Sequence, residues 1–200
     1  SYLDLTAGFC VNNLGHRHPA VIKAIQEQAG KYLHVTVYGE YFLEVQMQLA
    51  EKLAALLPPS LQSVYPVNSG TEAVEGALKL AKRITNRREI VSFSNAYHGS
   101  TQGALSVMGS EYFKNAFRPL LPEIVIIDFN NAKQLSCITE KTACVIVEPV
   151  QGEAGVIVPE HDFLVALRKQ CDTMGCLLIF DEVQTGLRRT GEIFAFQKYN

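Results

Sequence analysis

The chain has 200 residues and a formal net charge of -2, with 48% hydrophobic and 19% charged residues. That length and balance describe a globular protein with one sizeable core and exclude a disordered chain. No general attraction to nucleic acid or an anionic membrane is expected, and no stretch is long and apolar enough to span a bilayer.

Both ends of the chain read as cut: Ser1 opens on an apolar stretch without methionine, and Phe196–Asn200 closes without winding down. The N-terminus has no signal-peptide pattern, and the five cysteines lack paired C-x-x-C spacing. A cytoplasmic protein with reduced thiols is the expectation. His16 and His18 flank Arg17 with no carboxylate or cysteine close in sequence, and no metal site is expected.

Pro19 suits the first turn of a helix, where its missing N–H would be unpaired in any case. Val21, Ile25, Ala29 and Tyr32 follow at helical spacing. A second helix carries Leu43, Met47, Ala50, Ala54 and Leu57 on one face before Pro58-Pro59 ends it. Residues 1–60 are therefore read as a helical N-terminal segment and 61–200 as the main domain.

From there the rhythm changes. Apolar runs at Ser63–Val67, Ile90–Phe93, Ile124–Ile127, Ala143–Val147 and Leu177–Phe180 are predicted strands. Thr71–Arg83, Thr101–Met108, Ala132–Ile138 and His161–Met174 are predicted helices between them. Continuous rather than alternating apolar strands, separated by helices, indicate an α/β fold with a mostly parallel sheet covered on both faces. In such sheets ligands sit at the carboxyl ends of the strands, so the polar residues just after each run are the ones to inspect.

The run Val67-Asn-Ser-Gly-Thr-Glu-Ala-Val74 is a strand end, a small-residue turn and a helix start. Free N–H groups and the helix dipole make such a turn fit for phosphate, with Gly70 allowing close approach and the Thr71 hydroxyl as a donor. Ser69 and Glu72 equally have the spacing of a capping box. In Asn95-Ala-Tyr-His-Gly-Ser-Thr-Gln-Gly103, Tyr97 could stack on a flat ligand with His98 beside it. Thr101 stands where a G-x-S-x-G hydrolase elbow needs serine, which argues against that chemistry. In Val147-Glu-Pro-Val-Gln-Gly-Glu-Ala-Gly155, Glu148 and Glu153 could form an acid/base pair or stay structural. Asp181 follows Leu177-Leu-Ile-Phe180, so its charge lies at a buried strand end and needs a partner. A protonated cofactor ring nitrogen is one such partner; a magnesium ion or a ribose is another.

These four motifs in order, with the early Asn13-Leu-Gly-His-Arg-His-Pro19, closely resemble the class III aminotransferases, the family of the acetylornithine, ornithine and 4-aminobutyrate enzymes. The resemblance runs from about residue 3 to residue 200. It implies the large domain of a fold-type I enzyme with pyridoxal 5'-phosphate as cofactor, working as a homodimer. By resemblance, Ser69, Gly70 and Thr71 would bind the cofactor phosphate, and Tyr97 would stack on the ring with His98 beside it. Asp181 would pair with the ring nitrogen, Gln184 with the 3-oxygen, and Glu148 and Glu153 would line the substrate side. Glu153 matches the residue that gates a carboxylate-binding arginine. The implied reaction is ping-pong transfer of an amino group from an amine or ω-amino acid to a 2-oxo acid such as 2-oxoglutarate. An acetylornithine/ornithine-type enzyme, an aminomutase or racemase of the same family, and a non-catalytic truncated fold stand as alternatives. Two departures matter. The Schiff-base lysine is expected beyond Asn200, so residues 1–200 alone are expected to be inactive. Ser100 stands where the acetylornithine and ornithine enzymes have arginine, and serine cannot replace a bidentate guanidinium.

Overall fold

Four apolar runs carrying β-branched and aromatic residues pair as strands: β1 (Glu89–Phe93), β2 (Ile124–Ile127), β3 (Thr142–Val147) and β4 (Leu177–Phe180). Their order across the sheet is β2-β1-β3-β4, and every pair is parallel. The computed structural model describes residues 2–36 and 39–199; Ser1 and Asn200, the outermost residues of the two expected segments, lie outside them.

Successive strand side chains point to opposite faces of the sheet, and each face has its own helix. Ile90, Cys144 and Ile146 face one way and meet Val74, Leu78 and Ala81 of α4 (Gly70–Thr85). Val91, Phe93, Val145 and Val147 face the other way and meet Phe163, Leu164, Leu167 and Cys171 of α7 (His161–Met174). Both helices supply apolar residues at three- and four-residue spacing, the stripe that a sheet-facing helix needs. Burying each of the larger aliphatic and aromatic groups fully contributes about 1.5–3 kcal/mol. The expected α/β architecture with both faces covered is therefore present.

The strand order fixes where a ligand can sit. The chain leaves β1 to build β2 on one side, then crosses to build β3 on the other side of β1. Between β1 and β3 the connections diverge, which opens a crevice at the carboxyl ends of those strands.

Three predicted elements differ from the structure. Ser63–Val67 is not a strand: it has no ladder partner, Tyr65 is exposed, and Pro66 removes a donor from its middle. Thr101–Met108 shortens to α5 (Gln102–Ser106), and Ala132–Ile138 becomes a 3₁₀ helix, Ala132–Cys137. A further short helix, α6 (Glu111–Lys114), follows α5.

The chain divides into two compact units, with the division between Pro66 and Val67. The first holds a single turn, α1 (Ala7–Cys10), and the helices α2 (Pro19–Ala29) and α3 (Glu44–Leu56). His18 caps α2, its Nδ1 accepting the Ala20 N–H at 3.3 Å, with Pro19 in the first turn. Asp4 accepts from His16 Nε2 at 2.8 Å, and that contact with the Thr6 and Ala7 donors lowers its pKa to about 2. The second unit holds the sheet, α4 to α7 and every candidate site residue.

Candidate active site

Three of the four strands deliver a polar side chain to the same end of the sheet. β1 leads through Ser94–Ala96 to Tyr97 and His98, β3 runs into Glu148, and β4 runs into Asp181. The first turn of α4 adds Gly70 and Thr71. Of the nine site residues expected from sequence, eight line one cleft of about 290 Å³; Ser69 is the exception.

The floor of the cleft is the Asp181–His98 pair. The Asp181 N–H donates to Val147 O at 2.8 Å, which carries the β3–β4 pairing one residue past the strand. Asp181 Oδ1 accepts the Val183 N–H at 3.1 Å, and Oδ2 lies 2.7 Å from His98 Nδ1. The two side chains are 6% and 0% exposed, and a buried carboxylate is tolerated only with such partners. His98 Nε2 is buried with no partner among the described residues. Sequence reading placed His98 beside a ligand; the structure makes it the side-chain partner of Asp181.

Glu148 ties two loops together. Its Oε2 accepts the Tyr97 N–H at 3.0 Å and its Oε1 accepts the Gly152 N–H at 3.2 Å. Burial pushes its carboxyl pKa above the usual range, and those two donors offset only part of the effect. Tyr97 is 37% exposed, and Phe113 holds its ring edge-on at 6.0 Å and 84°. At the rim, Gln184 Nε2 donates to Glu153 Oε1 at 2.7 Å.

The α4 end satisfies both readings of its motif. Ser69 is the N-cap: its Oγ accepts the Glu72 N–H at 3.3 Å, and Glu72 Oε2 accepts the Asn68 N–H at 2.8 Å. That bond uses an acceptor position of the Ser69 hydroxyl and leaves its hydrogen available to donate. The N–H groups of Gly70 and Thr71 have no partner among the described residues. Gly70 has no room for a Cβ, which would stand 2.9 Å from Val183 Cγ2. The Thr71 hydroxyl, expected to face a phosphate, lies 2.7 Å from the Thr101 hydroxyl.

Sequence reading missed Val183, which lines the cleft and packs over Gly70. The available signal was slight: a β-branched residue between Asp181 and Gln184. Among the described residues no lysine or arginine lines the cleft. Lys198 Nζ donates to Thr190 O at 2.6 Å.

The family described as aminotransferase class-III matches residues 1–200. The chain belongs to the class III aminotransferases. It is 46% identical over 197 residues to the acetylornithine aminotransferase of Methanopyrus kandleri, covering 98% of this chain and 50% of that protein. It is 42% identical to the [LysW]-aminoadipate semialdehyde/glutamate semialdehyde transaminase of Sulfurisphaera tokodaii, over 99% of this chain and 51% of that one. An amine transaminase from an uncultivated Pseudomonas species, solved in its PLP-bound form, superposes with a TM-score of 0.89 at 28% identity. That match covers 98% of this chain and 51% of the solved one. The chain thus spans about half the length of the curated relatives it matches, and the sheet with its flanking helices is that of a fold-type I large domain.

Class III aminotransferases depend on pyridoxal phosphate, and the residues of the cleft suit that group. Two free N–H groups at a helix start match a phosphate. A buried carboxylate backed by one histidine matches a protonated ring nitrogen. Tyr97 and Val183 supply apolar surface for a flat ring.

Proposed function

We propose that this chain carries the cofactor-binding half of a pyridoxal-phosphate-dependent aminotransferase. The enzyme moves an amino group between an amine or ω-amino acid and a 2-oxo acid such as 2-oxoglutarate, in ping-pong order. The observation that carries this reading is the Asp181 carboxylate, buried at the end of β4 against His98 and opening on the cleft headed by Gly70 and Thr71.

Bound there, the cofactor would supply a carbonyl that takes up an amine and a protonated ring that accepts an electron pair from the substrate carbon. The chain's own residues prepare that chemistry. The Gly70 and Thr71 N–H groups hold the phosphate. Asp181 would hold the ring nitrogen and keep it protonated, and His98 fixes the Asp181 carboxylate. Tyr97 would offer its ring as a stacking surface for the cofactor. Gln184 would donate to the cofactor's 3-oxygen in place of its bond to Glu153. Glu153 then stands free at the rim, positioned to hold or release a cationic group that binds a substrate carboxylate.

The lysine that moves the substrate proton is expected beyond Asn200, a reading supported by the cleft, which no lysine among the described residues lines. Residues 1–200 alone are therefore expected to show no turnover. A homodimer in the cytoplasm completes the proposal; the family supports the first and the unpaired cysteines support the second.

The acetylornithine-type reading is favoured by the 46% identity to an enzyme of that name. Against it, Ser100 stands in the cleft where those enzymes have arginine, and among the described residues no lysine or arginine lines it. The test uses the full-length protein, loaded with pyridoxal phosphate and reduced with borohydride, then assayed with a panel of amines and 2-oxoglutarate. One reduced phosphopyridoxyl adduct on a lysine beyond Asn200, with glutamate formed from at least one amine, is the expected result. Absence of any adduct would end the enzyme reading and leave a non-catalytic binding fold.

A further inference from the structure

Behind the phosphate end of the cleft lies a chain of hydrogen bonds that the proposed mechanism does not use. Glu75 sits one turn after Thr71 on the same face of α4. Its Oε1 accepts three donors: the Thr101 hydroxyl at 2.6 Å, the Gly103 N–H at 2.7 Å and the Ala104 N–H at 3.1 Å. An oxygen accepting three donors carries no hydrogen of its own, so the single hydrogen of the Thr101 hydroxyl points at Glu75. In the 2.7 Å contact between the two threonine hydroxyls, Thr71 must therefore be the donor. The Thr101 N–H points back at Thr71 Oγ1 from 3.4 Å.

The relay runs Thr71 to Thr101 to Glu75, and it consumes the hydrogen that a threonine would otherwise offer to an anion. Two glycines make room for it. A Cβ on Gly99, whose φ is +123°, would collide with Thr71 Oγ1, and a Cβ on Gly103 would collide with the Glu75 carboxylate. Thr101 is the N-cap of α5 but makes no side-chain cap bond; Glu75 caps that helix from α4 instead. The carboxylate thus pins residues 101–104 against the first turn of α4, where the free Gly70 and Thr71 N–H groups lie.

We propose that Glu75 is a positioning residue for the phosphate of the cofactor. It touches no ligand. By holding Thr101, and through it Thr71, it fixes the turn whose backbone N–H groups grip the anion and turns the Thr71 hydroxyl away from it. What the relay needs from position 75 is an oxygen acceptor, not a negative charge, since a charge so near a phosphate opposes binding. This inference rests on the cofactor assignment above.

The test measures equilibrium binding to the full-length apoprotein of two ligands, pyridoxal phosphate and unphosphorylated pyridoxal. Glu75→Ala is expected to raise the Kd for pyridoxal phosphate about tenfold, the effect of one charge-assisted hydrogen bond made poor, and to leave that for pyridoxal within about twofold. Glu75→Gln, which keeps the oxygen, is expected to stay within about threefold of the parent for both. Circular dichroism of both variants confirms folding. Equal weakening of both ligands in Glu75→Ala would reveal a merely structural role and overturn the proposal. An unchanged Kd for pyridoxal phosphate, or a Glu75→Gln variant as weak as Glu75→Ala, would overturn it as well. A parent protein that takes up no pyridoxal phosphate would instead sink the cofactor assignment, so the two failures are distinguishable.

Discussion

At the floor of the cleft, His98, Glu148 and Asp181 are buried, and each carboxylate is held by one group distant in the chain and one close by. At the rim, Tyr97, Ser100 and Glu153 are exposed, Gln184 is half-buried, and the one hydrogen bond between Gln184 and Glu153 is open to solvent. A floor residue cannot move without stranding a buried polar group, which costs far more than a lost exposed contact. A rim residue can turn to meet a ligand at little cost. The floor therefore suits the part of the chemistry that never varies, and the rim suits the choice and exchange of substrates.

The sharpest way to break this contrast is Asp181→Asn in the full-length holoenzyme. Asparagine keeps the shape but removes the charge that would hold a proton on the ring nitrogen. We expect kcat to fall about 10²–10³-fold, the scale of losing one preorganised electrostatic contact. Single-turnover kinetics with saturating amine would place the loss in the chemical step. A loss under about tenfold would mean that the floor does not act on the cofactor ring at all.

The next effect is on folding. In Glu148→Gln one of the N–H groups of Tyr97 and Gly152 meets an amide NH₂ in place of an oxygen, and an unsatisfied buried donor costs about 1–3 kcal/mol. Burial raises the Glu148 carboxyl above its unfolded value. Its contribution is thus fully present below the unfolded pKa and declines as pH rises through the folded one. The stability gap between parent and variant should narrow from acid toward neutral pH in urea titrations. A gap that widens with pH would show that the two N–H donors outweigh burial.

Much of this site was legible in the sequence because parallel strands announce themselves as continuous apolar runs, and the next polar residue marks the ligand edge. That rule located Tyr97, His98, Glu148 and Asp181 within one cleft, and the apolar spacing of His161–Met174 matches α7 end to end. It failed at Ser63–Val67, where an apolar run with Pro66 inside could not join a ladder. It also could not reveal who partners whom. His98 and Asp181 are 83 positions apart and Glu75 and Thr101 are 26 apart, so each contact exists only once the sheet has brought their loops together. The contact between the Thr71 and Thr101 hydroxyls, 30 positions apart, was hidden from the sequence for the same reason.

At the rim, Ser100→Arg tests whether the missing cation limits substrate choice. A guanidinium there could bind a carboxylate in two places at once, so KM for a donor bearing an α-carboxylate should fall about tenfold. KM for a simple amine should not fall with it. A charge acting only through the general field would raise KM for a cationic amine, so a fall for both donors would mean that the arginine side chain acts by packing and not as a carboxylate subsite.

The smallest expected effects belong to Glu153 and Gln184. Their bond is exposed, and an exposed polar pair contributes about 0.2–1 kcal/mol at most. Glu153→Ala and Gln184→Ala should each change unfolding free energy by no more than about 1 kcal/mol. The two are not expected to be equal in function, because in the proposed site only Gln184 reaches the cofactor. Gln184→Ala should lower kcat, whereas Glu153→Ala should change KM for the 2-oxo acid with kcat nearly kept. A double-mutant cycle on KM then decides whether the pair is a gate: coupling shows that Gln184 must leave Glu153 before the substrate is held, and strict additivity shows that the bond does not control entry.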